Sequence, residues 1–178
     1  MQPGRTGDSR LLKELRPDLV VAVSVGYPPV GVRWEQLEGL SLQDLLAETT
    51  QASAEAILAS ARELLLLEPL PIPGFHVGEC FSAANSIGEC AFSYDYSGET
   101  DGTSVSIYSA VYRSIAISES RITSALYDHV PCMAGSPCLP IENGRATMTD
   151  NHHVNSAHAV ETRERLWQIL QPIVQRLS

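Results

Sequence analysis

Two short apolar runs constrain the fold of this chain more than anything else in it. They are LVVAVSV at residues 19–25 and LLLL at residues 64–67. A strand with one wet face alternates apolar and polar side chains. A run that is apolar at nearly every position must bury both faces, which is the pattern of a parallel sheet covered by helices on each side. Gly26 and the following YPP end the first run, and EPLPIPGF ends the second; proline there removes a ladder donor. Between the runs, residues 37–61 carry apolar side chains at helical spacing, with a break expected near Thr49. Strand, helix and strand in succession predict a βαβ crossover.

The remaining elements follow from periodicity and turn chemistry. Residues 9–15 read as a short helix with Leu11, Leu12 and Leu15 on one face and Ser9 as its N-cap. Residues 75–102 read as loop, being rich in Gly, Ser, Asn and Cys. Residues 104–118 have ambiguous periodicity and are read as helix, and residues 122–126 as a third strand. LPIENGRAT has the form of a hairpin, with ENG supplying the turn. Residues 156–177 form the clearest helix, capped by Asn155 or Ser156, with Leu166, Ile169, Leu170, Ile173 and Val174 as its apolar stripe. The expectation is one domain over residues 1–178, an α/β fold built as a three-layer α/β/α sandwich on a small, mainly parallel sheet of three or four strands.

Composition narrows the function. With 44% hydrophobic and 19% charged residues among 178, the chain can bury a sizeable core. Its formal charge of -9 repels phosphate backbones, which argues against nucleic-acid partners. No stretch reaches the roughly 18 consecutive apolar residues of a membrane span. Residues 1–15 lack the apolar core of a signal peptide; if the protein is exported, its export signal lies outside this chain. The four cysteines fall into two local pairs, Cys80 with Cys90 and Cys132 with Cys138, each in a Gly/Ser-containing segment. Two local disulfides, and hence an oxidising compartment, fit this pattern. Four unlinked buried thiols are the alternative. Neither pair has the CxxC spacing of a metal site.

Chemistry concentrates in MTDNHHVNSAHA, residues 148–159, which holds three of the five histidines. Asp150 and His153 are two residues apart, so a tight turn brings both side chains to one face. A carboxylate that accepts the imidazole Nδ1–H fixes the tautomer and stabilises the charged ring, as a general base toward a hydroxyl requires. Two other readings stand beside it. The acid and amides can simply cap the last helix. Alternatively Asp150, His152, His153 and His158, with His76, could bind Zn²⁺. Adjacent histidines diverge, and His153 and His158 miss the i, i+4 face, so no metal is expected. The acids in DYSGETDG, residues 95–102, lack the ligand periodicity of a calcium loop. Trp34 and Trp167 are expected to serve packing, and Asp128 a structural role.

TDNHHVNSAHA resembles the last sequence block of the SGNH (GDSL-like) hydrolases, an Asp-x-x-His ahead of the final helix. The chain is most similar to the C-terminal SGNH domain of bacterial membrane acyltransferases that O-acetylate surface polysaccharides. LRPDLVVAVS resembles that domain's central strand, and LEPLPIPGFHVGEC its strand, Pro-rich loop and Cys. YDHVPCMAGSPCLPIENGRATMTDNHHVNSAHA resembles its Cys pair, hairpin and D-x-x-H tail. The likeness covers residues 10–175. It implies the three-layer fold, an extracytoplasmic location, and serine esterase or O-acyltransferase chemistry without cofactor. The substrate it implies is an acylated glycan or other small ester, and any membrane contact would run through a segment outside this chain. Asp150 and His153 take the roles of orienting acid and general base.

The family nucleophile is the serine of a GDS motif that ends the first strand. GDS occurs here as Gly7-Asp8-Ser9. Only six residues precede it, none forming an apolar strand, and Ser9 suits a helix cap. Gly26 is the candidate oxyanion N–H, but the asparagine that the family supplies has no counterpart beside it; Asn85 and Asn155 lie elsewhere. The pattern reads as an SGNH domain truncated at its N-terminus. The alternative function is a catalytically incomplete remnant that binds glycan or a protein partner.

Overall fold

The computed structural model describes residues 6–23, 41–69, 73, 75–92, 104–127, 137–150 and 153–178. Its elements are α1 (Thr6–Leu15), β1 (Leu19–Val23), α2 (Leu42–Leu58), β2 (Glu63–Leu67), α3 (Val77–Ala83), a 3-10 turn (Ile87–Cys90), α4 (Ser104–Ser118), β3 (Ile122–Ala125), β4 (Ile141–Glu142), β5 (Arg145–Ala146), α5 (Ser156–Glu161) and α6 (Arg163–Leu177). β1, β2 and β3 form a parallel sheet in that order, and β4 pairs with β5 in a separate antiparallel hairpin.

The LLLL run is the central strand, with all of Glu63–Leu67 buried. Its two faces feed two cores. Leu64 and Leu66 pack with Leu46, Leu58, Val111, Tyr112 and Ile115 of α2 and α4. Leu65 and Leu67 pack with Leu166, Ile169, Leu170 and Ile173 of α6. Helices thus cover both faces of a three-stranded parallel sheet, an α/β arrangement of three layers. A third cluster of Val77, Cys138 and Met148, flanked by Phe75, Phe81, Phe92 and Val154, lies beyond the sheet and joins α3 to the segments around the hairpin.

Four local expectations need correction. α1 begins at Thr6, so Ser9 lies inside the helix and is not its N-cap. α2 runs through Thr49 without a break, because the Thr49 hydroxyl donates back to the Leu45 carbonyl at 2.7 Å and so stays satisfied within the helix. The stretch read as loop contains α3 and the 3-10 turn, stapled by the Cys80–Cys90 disulfide. The last helix is two helices: Thr162 leaves helical geometry at φ -91°, ψ 2° and separates α5 from α6. The hairpin has the expected form. Asn143 and Gly144 adopt φ of 51° and 76°, the left-handed pair that a tight two-residue turn requires.

Candidate active site

The direction of α6 places the histidine loop. Near its C-terminus, Arg176 donates to both carboxylate oxygens of Glu63, at 3.3 and 2.8 Å, where β2 begins. At its N-terminus, the Thr162 hydroxyl donates to the His158 carbonyl and shares a 2.6 Å hydrogen bond with the Tyr127 hydroxyl, just past the end of β3. α6 therefore runs antiparallel to the strands. Its start, and the loop that feeds α5, stand at the carboxyl edge of the sheet, where ligand sites of open α/β folds gather.

That loop is a small closed structure. The Thr147 N–H donates to the Pro140 carbonyl at 3.0 Å, the Thr149 N–H to the His153 carbonyl at 2.8 Å, and the Asn155 N–H to the Thr147 carbonyl at 2.9 Å. Met148 and Val154 form an antiparallel bridge. Asn155 then caps α5, its Oδ1 accepting from the Ala157 and His158 N–H groups.

Within this frame, Asp150 uses its two oxygens on the same residue. Oδ1 accepts the His153 backbone N–H at 2.8 Å, and Oδ2 lies 2.7 Å from His153 Nδ1. An ionised carboxylate has no proton to offer, so the ring nitrogen donates. Nδ1 then carries the proton of the neutral imidazole and Nε2 is its basic nitrogen. The His153 side chain is 79% exposed and that of Asp150 28%. The ring is thus oriented from below by a half-covered acid and accessible above.

His158 behaves differently from its neighbour. It is 1% exposed, with Nδ1 3.7 Å from Glu142 Oε2, while Arg165 donates to Glu142 Oε1 at 2.5 Å. A short ion pair between Arg145 and Glu161 lies close by. These contacts bolt the β4–β5 hairpin to α5 and α6. At the sequence level His158 figures only in the zinc alternative, with no role beside the Asp150–His153 pair. The spacing of 158, 162, 165 or 166, 169 and 173 was the available signal that it faces inward.

The other candidate residues separate. Cys80 and Cys90 are disulfide-bonded, and Cys138 is also in a disulfide, whereas Cys132 lies outside the described residues. Gly26, Trp34, Asp128, His152 and residues 95–102 lie outside them too. Ser9 sits on α1, which packs on α2. The last turn of α1 is near the amino edge of the sheet: Lys13 and Arg16 border a cavity with residues 58–62, where α2 ends and β2 begins. Ser9 lies within that helix, six residues upstream of Leu15, and not at the end of a strand. His76 caps α3, its Nδ1 accepting the Glu79 N–H at 3.4 Å. Among the described residues, no three His, Cys, Asp or Glu side chains converge as a metal site would require. A groove of about 650 Å³ lies between the disulfide-stapled segment and the hairpin, bordered by Phe81, Asn85, Ile87, Ile141 and Ala146.

No family model matches the chain, and no curated protein or solved structure matches it either. No helix among the described residues is long and apolar enough to cross a membrane.

Proposed function

We propose that Asp150 and His153 are the acid–base pair of an SGNH-type ester hydrolase or O-acyltransferase, and that the substrate is an acyl ester of a cell-surface glycan. The observation that carries the reading is the 2.7 Å contact between Asp150 Oδ2 and His153 Nδ1. It leaves the basic Nε2 on an exposed ring at the carboxyl edge of a parallel sheet. In the proposed reaction, Nε2 takes the proton of an attacking hydroxyl as that oxygen bonds to the ester carbonyl, and returns it to the leaving alcohol. Asp150 stabilises the imidazolium in between. The disulfides are compatible with an extracytoplasmic setting.

The position of Ser9 favours a second reading. The family that the chain resembles holds its serine nucleophile rigidly at the end of a strand, beside the base, whereas Ser9 lies within α1. In this reading the chain is a catalytically incomplete domain that binds glycan or a partner, and Asp150 serves the loop alone.

Hydrolysis of p-nitrophenyl acetate separates the two. The enzyme reading predicts turnover by the purified chain and a loss on the order of a thousandfold or more in His153→Ala. Absent turnover, or equal turnover in wild type and His153→Ala, sinks it and leaves the binding reading.

A further inference from the structure

The amino edge of the sheet carries an inference independent of the catalytic reading. Lys13 and Arg16, at the end of α1, and Arg62, just ahead of β2, border one cavity of about 630 Å³ whose remaining wall is residues 58–61. The acids of this edge are already matched. Asp18 pairs with Arg62 at 3.2 Å, Glu63 with Arg176 at 2.8 Å and Glu119 with Arg121 at 3.1 Å, and on α1 Glu14 pairs with Arg10 at 2.9 Å. Lys13 and Arg16 are left over: among the described residues, neither side chain meets an acid or donates to an oxygen. Lys13, Arg16 and Arg62 against the one acid Asp18 leave an excess of positive charge at the cavity, in a chain whose net charge is -9.

Cations gather near helix C-termini to offset the dipole and the last carbonyls, but the carbonyls here have other donors. At the end of α2, the Glu55 carbonyl accepts from the Ala59 N–H, the Ile57 carbonyl from the Ser60 and Ala61 N–H groups, and the Leu58 carbonyl from Arg121 at 3.4 Å. Arg16 is also held at a φ of 44°, the left-handed conformation in which glycine usually ends a helix and a Cβ costs free energy. Pro17 after it favours extended backbone instead. The Arg16 N–H closes α1 on the Leu12 carbonyl at 2.9 Å, a bond that glycine would make with less strain. What arginine adds at this position is a guanidinium at the cavity. Backbone held against its preference in this way concentrates at ligand sites.

We propose that this cavity binds a phosphate group, held by Lys13, Arg16 and Arg62. A phosphate monoester carries about 1.5 to 2 negative charges at neutral pH, which matches the excess left by three cations and one acid. A single carboxylate would leave a cation uncompensated. A planar guanidinium meets two phosphate oxygens at once, and a lysine supplies a compact point charge beside it. Arg62 spends Nη1 on Asp18 and on the Leu177 carbonyl, and its Nε and Nη2 donors remain for the ligand. Free phosphate and the phosphate headgroup of a lipid share this chemistry.

Titration with inorganic phosphate at constant ionic strength tests this, with the arginine Nε–H resonances followed by NMR. The Arg62 resonance is expected to shift and saturate. Lys13→Gln and Arg16→Gly are each expected to weaken the binding about tenfold or more, the loss of one charge-assisted contact. Arg16→Gly removes charge and strain together, so its melting temperature is expected to hold or rise while its affinity falls. Arg10→Gln makes the same change of charge on the same helix, away from the cavity, and is expected to bind as wild type does. Sedimentation with vesicles of phosphatidylcholine, with and without phosphatidic acid, separates the two sources. Binding only to the phosphatidic acid vesicles, lost in Arg16→Gly, assigns the site to a lipid headgroup. Binding to neither probe overturns the proposal. So does equal weakening by Arg10→Gln, or a phosphate affinity that Lys13→Gln and Arg16→Gly leave unchanged.

Discussion

Asp150 shows how one side chain can shape a backbone and tune a ring together. Its Oδ1 bond to the His153 N–H closes the turn, and its Oδ2 bond to Nδ1 orients the imidazole. The D-x-x-H spacing made this pairing legible, because three residues in a tight turn return the chain within reach of a short acid. The cap at Asn155 was legible for a similar reason, as its amide oxygen can reach N–H groups two and three residues ahead. Asn155→Ala is expected to cost about 1 kcal/mol, a fall in Tm of about 2–4 °C for a chain this size. Thermal melting followed by circular dichroism checks it, and an unchanged Tm contradicts it. The inward face of His158 had a signal in its helical spacing, but its partners were hidden, since Glu142 and Arg165 arrive from other elements.

At the level of elements, the strands were the most legible part, because a run of four leucines has few places to go but between two layers. Two neighbouring parallel strands and their helices followed from that run. Helix boundaries were less legible. The break at Thr162 has no glycine or proline to announce it; there the Thr162 hydroxyl meets Tyr127, just past the end of β3. The absence of a break at Thr49 comes from a hydroxyl that satisfies itself within the helix. Also invisible beforehand was the ion pair at the sheet's carboxyl edge. Glu68, 3% exposed, accepts from Arg113 through both oxygens, at 2.9 and 2.6 Å, and from the Ser124 hydroxyl at 3.1 Å. It ties β2, α4 and β3 together. Arg113→Met would leave the carboxylate buried with one neutral partner. The expected loss is about 2 kcal/mol, below the value for a fully buried pair because Arg113 is itself partly exposed. Urea denaturation reads this as a lower midpoint at unchanged slope, and an unshifted midpoint contradicts it.

Across the whole molecule, the layers, the helix that closes the second face and the hairpin all converge on one place. α6 is pinned by Glu63 at the amino edge and by Tyr127 at the carboxyl edge. The hairpin is locked to α5 and α6 through Glu142. The dyad loop is held between them. The fold was legible from patterns along single segments; the anchoring of the loop's flanks was not, because it arises from contacts between distant ones. Whether the Asp150–His153 pair serves proton transfer is tested most directly by Asp150→Asn. Asparagine keeps an oxygen to accept the His153 N–H, so the turn survives. It offers an N–H₂ where Nδ1 needs an acceptor, which turns the imidazole to the wrong tautomer. The measurement is kcat for p-nitrophenyl acetate, with thermal stability recorded on the same sample. Proton transfer through His153 predicts an unchanged Tm and a kcat lower by about 10³- to 10⁴-fold. A kcat equal to wild type in a normally folded Asp150→Asn protein contradicts it.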